Sequence, residues 1–234
     1  MSIIPQTCRI SVIIPARNEE QALPATLAAF AQGQAHEVIV ADGGSSDRTA
    51  EVARRLGATV VASPPGRARQ MNAGAAVASG EILFFLHADT LVPAGWTREI
   101  HALLDDPAVA AGAFRLGIIG NHPGYRLIES GANLRSRLGQ LPYGDQGLFL
   151  RAADFRAMGG FRDLPLLEDV ELVRRLARRG KIRLAPGAVR TSARRWHHLG
   201  MLRTTWRNLL ALLGFLLGLR PDRLARWYRC GGFE

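Results

Sequence analysis

Two hydrophobic rhythms alternate along the first third of this chain. Short apolar runs, ISVII at 10–14, EVIVA at 37–41, ATVVA at 58–62 and ILFFL at 82–86, are separated by longer segments with more widely spaced apolar residues. An unbroken apolar run fits a strand covered on both faces, and strand–helix alternation fits a parallel sheet between helices. The spacing predicts a helix from about Glu20, with Pro24 in its first turn, a second over 47–56 that ends at Gly57, and a third over 67–78 that stops before Gly80. Beyond residue 100 the pattern is less regular. It predicts strands at 109–118 and 147–150, a helix at 124–137, and a helix at 169–179 marked by Val170, Leu172, Val173 and Leu176. The reading is an α/β fold in one domain over 1–200, with a mostly parallel central sheet flanked by helices. Residues 201–234 form a helical extension of that domain.

In such sheets the carboxyl ends of the strands floor the ligand crevice. The ILFFL run ends abruptly in His87-Ala88-Asp89-Thr90, which makes Asp89 a candidate site residue. Asp42 ends the second run in the same way and can accept hydrogen bonds from a base imide or a ribose hydroxyl. Pro15-Ala16-Arg17-Asn18-Glu19 follows the first run, and Gly43, just after Asp42, permits close backbone approach to a ligand. Asp47 and Thr49 fit the capping of the next helix. Glu168 and Asp169 open the helix at 169–179, where the helix N-terminus favours negative charge. Taken alone, they read either as cap residues or as a catalytic carboxylate.

The segments SVIIPARNE, DGGSSDRT, Asn72-Ala73-Gly74, GEILFFLHADT and LLEDVEL, in this order over roughly 10–180, resemble family 2 glycosyltransferases with the GT-A fold. GRARQMNAG, GDQG and SARRW, with the overall size, resemble a narrower group: small bacterial transferases found with radical-SAM enzymes, some assigned to arsenosugar pathways. The resemblance implies transfer of a sugar from a nucleoside-diphosphate donor, UDP-linked by expectation, to an acceptor hydroxyl with inversion. It places Pro15, Ala16, Arg17, Glu19, Asp42, Gly43, Arg69, Asn72, His87 and Ala88 around the donor. Asp89 would hold a divalent cation, Mn²⁺ or Mg²⁺, against the diphosphate. Glu168 and Asp169 match the segment that supplies the catalytic base. Asp145 and Gln146 of GDQG, with Arg195 and Trp196, would face the acceptor.

His87 departs from the family, standing where the first aspartate of an Asp-x-Asp triplet is usual. It reads either as a second metal ligand, which would favour Mn²⁺, or as a hydrogen-bond donor to the nucleotide; His197 is a further candidate ligand. Ser192 replaces the glutamine of the Gln-x-x-Arg-Trp box of processive relatives. A nucleotidyltransferase would want a Gly- and Lys-bearing phosphate loop after the first strand, and PARNE has neither residue. A non-catalytic nucleotide-sugar binder is the other alternative, and Asp169→Asn separates it from an enzyme.

Composition changes this picture little. The formal charge is +10, and 30 basic residues include a single lysine, Lys181. An arginine preference explains this without a nucleic-acid partner, though phosphate-bearing ligands and anionic lipid remain compatible. The start of the chain reads as a strand and not as an export signal, so a cytoplasmic location is expected. The apolar stretch 209–219 is too short to span a bilayer. With its flanking tryptophans and arginines it admits three readings over 206–229: a core helix, a homodimer contact, or a peripheral contact with the inner membrane face. The acceptor, a small molecule or a lipid, is not legible.

Overall fold

The structure is a computed structural model, and it describes residues 8–30, 35–194, 196 and 200–229. Eight strands form one sheet: β1 (Ile10–Ala16), β2 (Glu37–Asp42), β3 (Thr59–Ala62), β4 (Ile82–Phe85), β5 (Thr90–Leu91), β6 (Val109–Ile118), β7 (Leu148–Arg151) and β8 (Lys181–Thr191). Their order across the sheet is β3-β2-β1-β4-β7-β6-β8-β5. Strands β1 to β4 pair in parallel, as do β6 and β8, while β7 runs antiparallel between β4 and β6.

The apolar runs are two-faced, as their lack of polar alternation predicts. Val12, Ile14 and Phe84 point into one core, and Ile13, Leu83 and Phe85 point into the other. Helices α1 (Leu23–Ala28), α2 (Thr49–Arg55) and α4 (Trp96–Leu104) contribute to the first core; α3 (Arg67–Val77), α6 (Ala152–Ala157) and α7 (Glu168–Leu176) close the second. Close approach on the second face requires a glycine. A Cβ on Gly74 of α3 would lie 2.5 Å from the Ile13 side chain.

Several boundaries move. The first helix begins at Leu23, because the turn after β1 uses the Glu19 carbonyl to accept from the Ala22 and Leu23 N–H groups. Helix α7 ends a turn earlier than its apolar pattern suggests. Helix α5 (Pro123–Gly139) lies close to its expected span, and Gly144–Gln146 forms a short 3-10 turn ahead of β7.

Four elements were not anticipated: α4, β8, the short strand β5 and helix α6. Helix α4 carries Trp96, Ile100 and Leu104 at i, i+4 and i+8, a legible helical face. Strand β8 is hidden by three basic residues and by Pro186-Gly187 in its middle.

The C-terminal stretch forms α8 (Met201–Leu216) and α9 (Pro221–Arg229). The core reading of residues 209–219 fails: Leu209, Leu210, Leu213, Leu216, Leu217 and Leu219 are exposed, and only Ala211, Leu212 and Gly214 are buried. No helix among the described residues is long and apolar enough to cross a membrane.

Candidate active site

The chain runs from β1 outward to β2 and β3, then returns to add β4 on the other side of β1. The carboxyl ends of β1 and β4 therefore flank a switch point, where an open sheet offers a crevice. A pocket of about 480 Å³ opens there. Pro15 and Glu19 line it from β1, and His87, Ala88 and Asp89 from β4. Tyr143 and Asp145 enter from the 3-10 turn, and Leu166, Leu167 and Asp169 from the start of α7. Thr191 ends β8 and Ser192, Arg194 and Trp196 follow it, while Asn208, Ala211 and Tyr228 belong to α8 and α9.

Asp89 is fixed by the short β5–β8 pairing. The Ser192 N–H donates to the Asp89 carbonyl at 3.1 Å, and the Thr191 hydroxyl lies 3.5 Å from the Asp89 carboxylate. This pairing brings the segment after β8 over the pocket. Arg194 Nη2 then donates to both Glu19 carboxylate oxygens at 2.7 and 3.0 Å and sits 3.9 Å from Asp89. The hydrogen bond to Glu19 raises the pKa of Arg194.

The loop after β1 is held to the loop after β2. Asn18, at a φ of 55°, accepts from the Ser46 N–H, and the Glu19 and Glu20 N–H groups donate to Thr49 and Asp47. Asp47 and Thr49 thus organise the turn, the Asp47 carboxylate accepting from the Thr49 N–H at 2.9 Å, but the N-cap of α2 is Arg48 and carries no side-chain cap hydrogen bond. Arg17 is exposed on this loop, and Ala16 is buried.

Asp169 meets the opposite wall. Its Oδ2 accepts from the Gly144 N–H at 2.6 Å and its Oδ1 from the Val170 N–H at 2.8 Å, so the carboxylate orientation is fixed. A Cβ on Gly144 would lie 3.1 Å from Asp169 Oδ2 and 3.3 Å from His87 Nε2. The glycine lets β4, the 3-10 turn and α7 converge on one spot. Leu167, just before α7, has a φ of 62°, a left-handed backbone that costs a leucine roughly 1–2 kcal/mol. Strain of this kind commonly accompanies a functional site.

Glu168 behaves differently from its neighbour. It is 3% exposed, and its Oε1 accepts from Arg67 Nε at 2.7 Å. The charge of Glu168, with Asp169 and Asp145 beyond it, drives the pKa of Arg67 still higher. Burial pushes the Tyr143 phenol up to about 12, so it faces the pocket as a neutral hydroxyl. The Trp196 indole nitrogen is buried at the pocket wall with no hydrogen-bond partner among the described residues.

Several expected site residues are absent from this lining. Arg69 donates from Nε and Nη2 to Asp163 at 2.9 and 2.7 Å, outside the pocket. Residues two apart on a helix face opposite ways, and Arg67 takes the inward position. Asn72 is engaged in both directions with the Phe161 backbone, donating to its carbonyl at 2.8 Å and accepting from its N–H at 2.9 Å. Gln146 is fully buried, donating to the Phe114 carbonyl and accepting from Ser136. Asp42 accepts from the Ser45 hydroxyl and N–H, closing its own turn. The Gly43 N–H donates to the Ala16 carbonyl, and a Cβ on Gly43 would meet Gln70 at 2.7 Å. Gln70, which sequence reasoning missed, donates to the Ala16 and Ala41 carbonyls and so joins the ends of β1 and β2. Arg195 and His197 lie outside the described residues.

No group of three His, Cys, Asp or Glu side chains among the described residues is placed to hold a metal by itself. Asp89 and His87 at the rim still fit a hard cation that takes its remaining ligands from phosphate oxygens and water.

Known proteins resemble this chain in sequence and in fold. The chain is 38% identical over 114 residues to an uncharacterised glycosyltransferase of Mycobacterium tuberculosis, covering 48% of this chain and 51% of that one. It is 42% identical over 92 residues to the 4,4'-diaponeurosporenoate glycosyltransferase of Staphylococcus haemolyticus, covering 36% of this chain and 24% of the relative. The chain therefore spans about half, or less, of the length of these curated relatives.

Among solved structures, the mannosyltransferase from Pyrobaculum calidifontis in complex with GDP-Man and Mn²⁺ superposes with a TM-score of 0.63 at 20% identity. The match covers 88% of this chain and 62% of that one. Residues 1–349 of S. aureus TarS in complex with UDP superpose with a TM-score of 0.62 at 19% identity, over 79% of this chain and 60% of that one. The fold is therefore GT-A. The sequence profile of glycosyl transferase family 2 matches residues 11–159, most of the strand–helix unit that builds the pocket floor, and the chain belongs to that family.

Proposed function

We propose that the pocket binds a nucleoside-diphosphate sugar, UDP-linked, and transfers its sugar to an acceptor hydroxyl with inversion. The observation that carries this reading is the meeting of Asp169 with His87 and Asp89 around one crevice at the β1–β4 switch point. Glu19, Arg194 and the Pro15 loop form the donor side. Asp169 faces the pocket and takes the proton of the acceptor hydroxyl as its oxygen bonds to the anomeric carbon. The bond from that carbon to the donor phosphate oxygen breaks, and the electron pair leaves on the diphosphate. Glu168 does not serve as the base in this scheme, because Arg67 occupies its carboxylate. A divalent cation held by Asp89, with His87 as second ligand or as hydrogen-bond donor, would neutralise charge on the departing diphosphate. Tyr143, Asp145 and the unpartnered Trp196 N–H present donors and an acceptor to the incoming hydroxyl compound. Membership of the small radical-SAM-associated group rests on sequence segments alone.

The test is turnover of a panel of UDP- and GDP-sugars with Mn²⁺, read as nucleoside diphosphate released. Asp169→Asn should lower kcat by about 10²–10⁴-fold while donor binding persists. Equal turnover by that variant would remove Asp169 from the chemistry. Tight donor binding with no turnover in any pairing would favour a binding protein, the reading that His87 in place of an aspartate keeps open.

A further inference from the structure

Helix α8 faces the wrong way for a core helix. At about 100° per residue, Leu202, Trp206, Leu209, Leu213, Leu216 and Leu217 share one stripe roughly 100° wide. All six are exposed, Leu202 at 87%, Leu217 at 83% and Trp206 at 61%. The inward face carries Thr204, Asn208, Ala211 and Gly214, with Leu212 buried at its edge and Phe215 half-buried. Most of the large apolar side chains of the helix thus meet solvent, while a mixed face of small, polar and two larger apolar residues meets the protein. That inward packing is specific. Arg207 donates to the Trp227 and Tyr228 carbonyls at 2.5 and 2.9 Å, and the Tyr228 hydroxyl donates to Asn208 at 2.5 Å. Ala211 and Tyr228 cluster with Leu166 and Leu167 beside the start of α7.

The charge around the stripe identifies its occupant. Arg203, Arg220, Arg223, Arg226 and Arg229 are exposed on or beside the two helices, and Asp222 is the one acid between residues 201 and 229. Trp227 is exposed among these arginines. A second copy meeting the stripe about a two-fold axis would bring two arginine clusters together. An anionic bilayer surface would complement them, accepting the leucines and tryptophans into the headgroup boundary while the arginines meet lipid phosphates. At sixteen residues, α8 is too short to cross such a bilayer.

We infer that the exposed Leu/Trp stripe of α8, flanked by the arginines of the α8–α9 hairpin, docks the protein on an anionic membrane surface. The inward side of the same hairpin supplies Asn208, Ala211 and Tyr228 to the pocket, so docking would hold the pocket wall at the lipid interface.

Cosedimentation of the whole chain with lipid vesicles tests this without reference to turnover. Binding to phosphatidylcholine vesicles that contain phosphatidylglycerol should exceed binding to pure phosphatidylcholine by about tenfold or more and weaken with added salt. Leu209→Glu/Leu213→Glu should abolish it while keeping the melting temperature, since neither side chain is in a core. Arg223→Ser/Arg226→Ser should reduce it toward the neutral-vesicle level. No binding to anionic vesicles, equal binding to both kinds, or binding unchanged in the leucine variant would overturn the inference. So would a wild-type dimer in analytical ultracentrifugation that becomes monomeric in the leucine variant and ignores vesicles in both forms.

Discussion

Arg67 and Arg69 stand two positions apart on α3, and the helix turns them to unrelated tasks. Arg69 makes a solvent-exposed pair with Asp163, of a kind that adds little to stability. Arg67 instead holds Glu168, which is almost fully out of water. Removing the arginine leaves a buried carboxylate without its cation. Arg67→Ala should therefore cost on the order of 3 kcal/mol, the low end for a buried pair because Arg67 itself keeps some solvent contact. Glu168→Gln keeps an acceptor for Arg67 and should cost less. Urea titration of the two variants measures both, and equal midpoints for Arg67→Ala and wild type would show that the pair is not structural. Sequence reasoning found GRARQMN as a segment but selected its outward arginine. Whether position 67 or 69 faces the pocket depends on where α3 begins, and boundaries of that kind are set by tertiary packing.

At the scale of elements, unbroken apolar runs were the most legible signal, because a strand buried on both faces has no polar side to display. Strand β8 was the least legible, since its burial is intermittent and Pro186-Gly187 resembles a turn. Yet β8 places Thr191 and Ser192 beside Asp89 and leads to Arg194, so part of the site could not be assembled from sequence. The start of β2 offers a test of how the elements are joined. Glu37 Oε1 accepts from the Ser11 hydroxyl on β1 at 2.6 Å and from the Ser79 N–H and hydroxyl after α3 at 2.7 and 2.9 Å. Burial alone would raise the pKa of Glu37, but these hydrogen bonds outweigh it and hold the group below its ordinary value of 4.5. A depressed folded-state pKa means that the unfolded chain binds the proton first. The stabilisation is present above the unfolded pKa and is lost as pH falls through the folded one. Stability should therefore decline from about pH 5 downward, and Glu37→Gln should flatten part of that decline. Urea midpoints across this range test it; identical slopes for variant and wild type would exclude the Glu37 joint as a source.

The whole molecule draws the walls of its pocket from different parts of the chain. The floor comes from β1 and β4, the far wall from the 3-10 turn and α7, and the cover from the segment after β8 with α8 and α9. Arg194 bridges the floor and the cover by its hydrogen bonds to Glu19. A ligand that meets several of these parts stabilises the folded chain as a unit. At a hundredfold excess over its Kd, such a ligand adds about 2.7 kcal/mol. For a domain of this size 1 kcal/mol shifts Tm by about 2–4 °C, so UDP with Mn²⁺ should raise Tm by about 5–10 °C. Asp89 is the pocket carboxylate nearest Arg194 after Glu19, and it is the one proposed to need a cation before a diphosphate can approach. Asp89→Asn should therefore lose the part of the shift that requires Mn²⁺, so that UDP with metal and UDP with chelator give the same melting temperature. Wild-type protein that melts identically in both conditions would separate nucleotide binding from any metal and leave Asp89 with its structural link to Thr191 and Ser192.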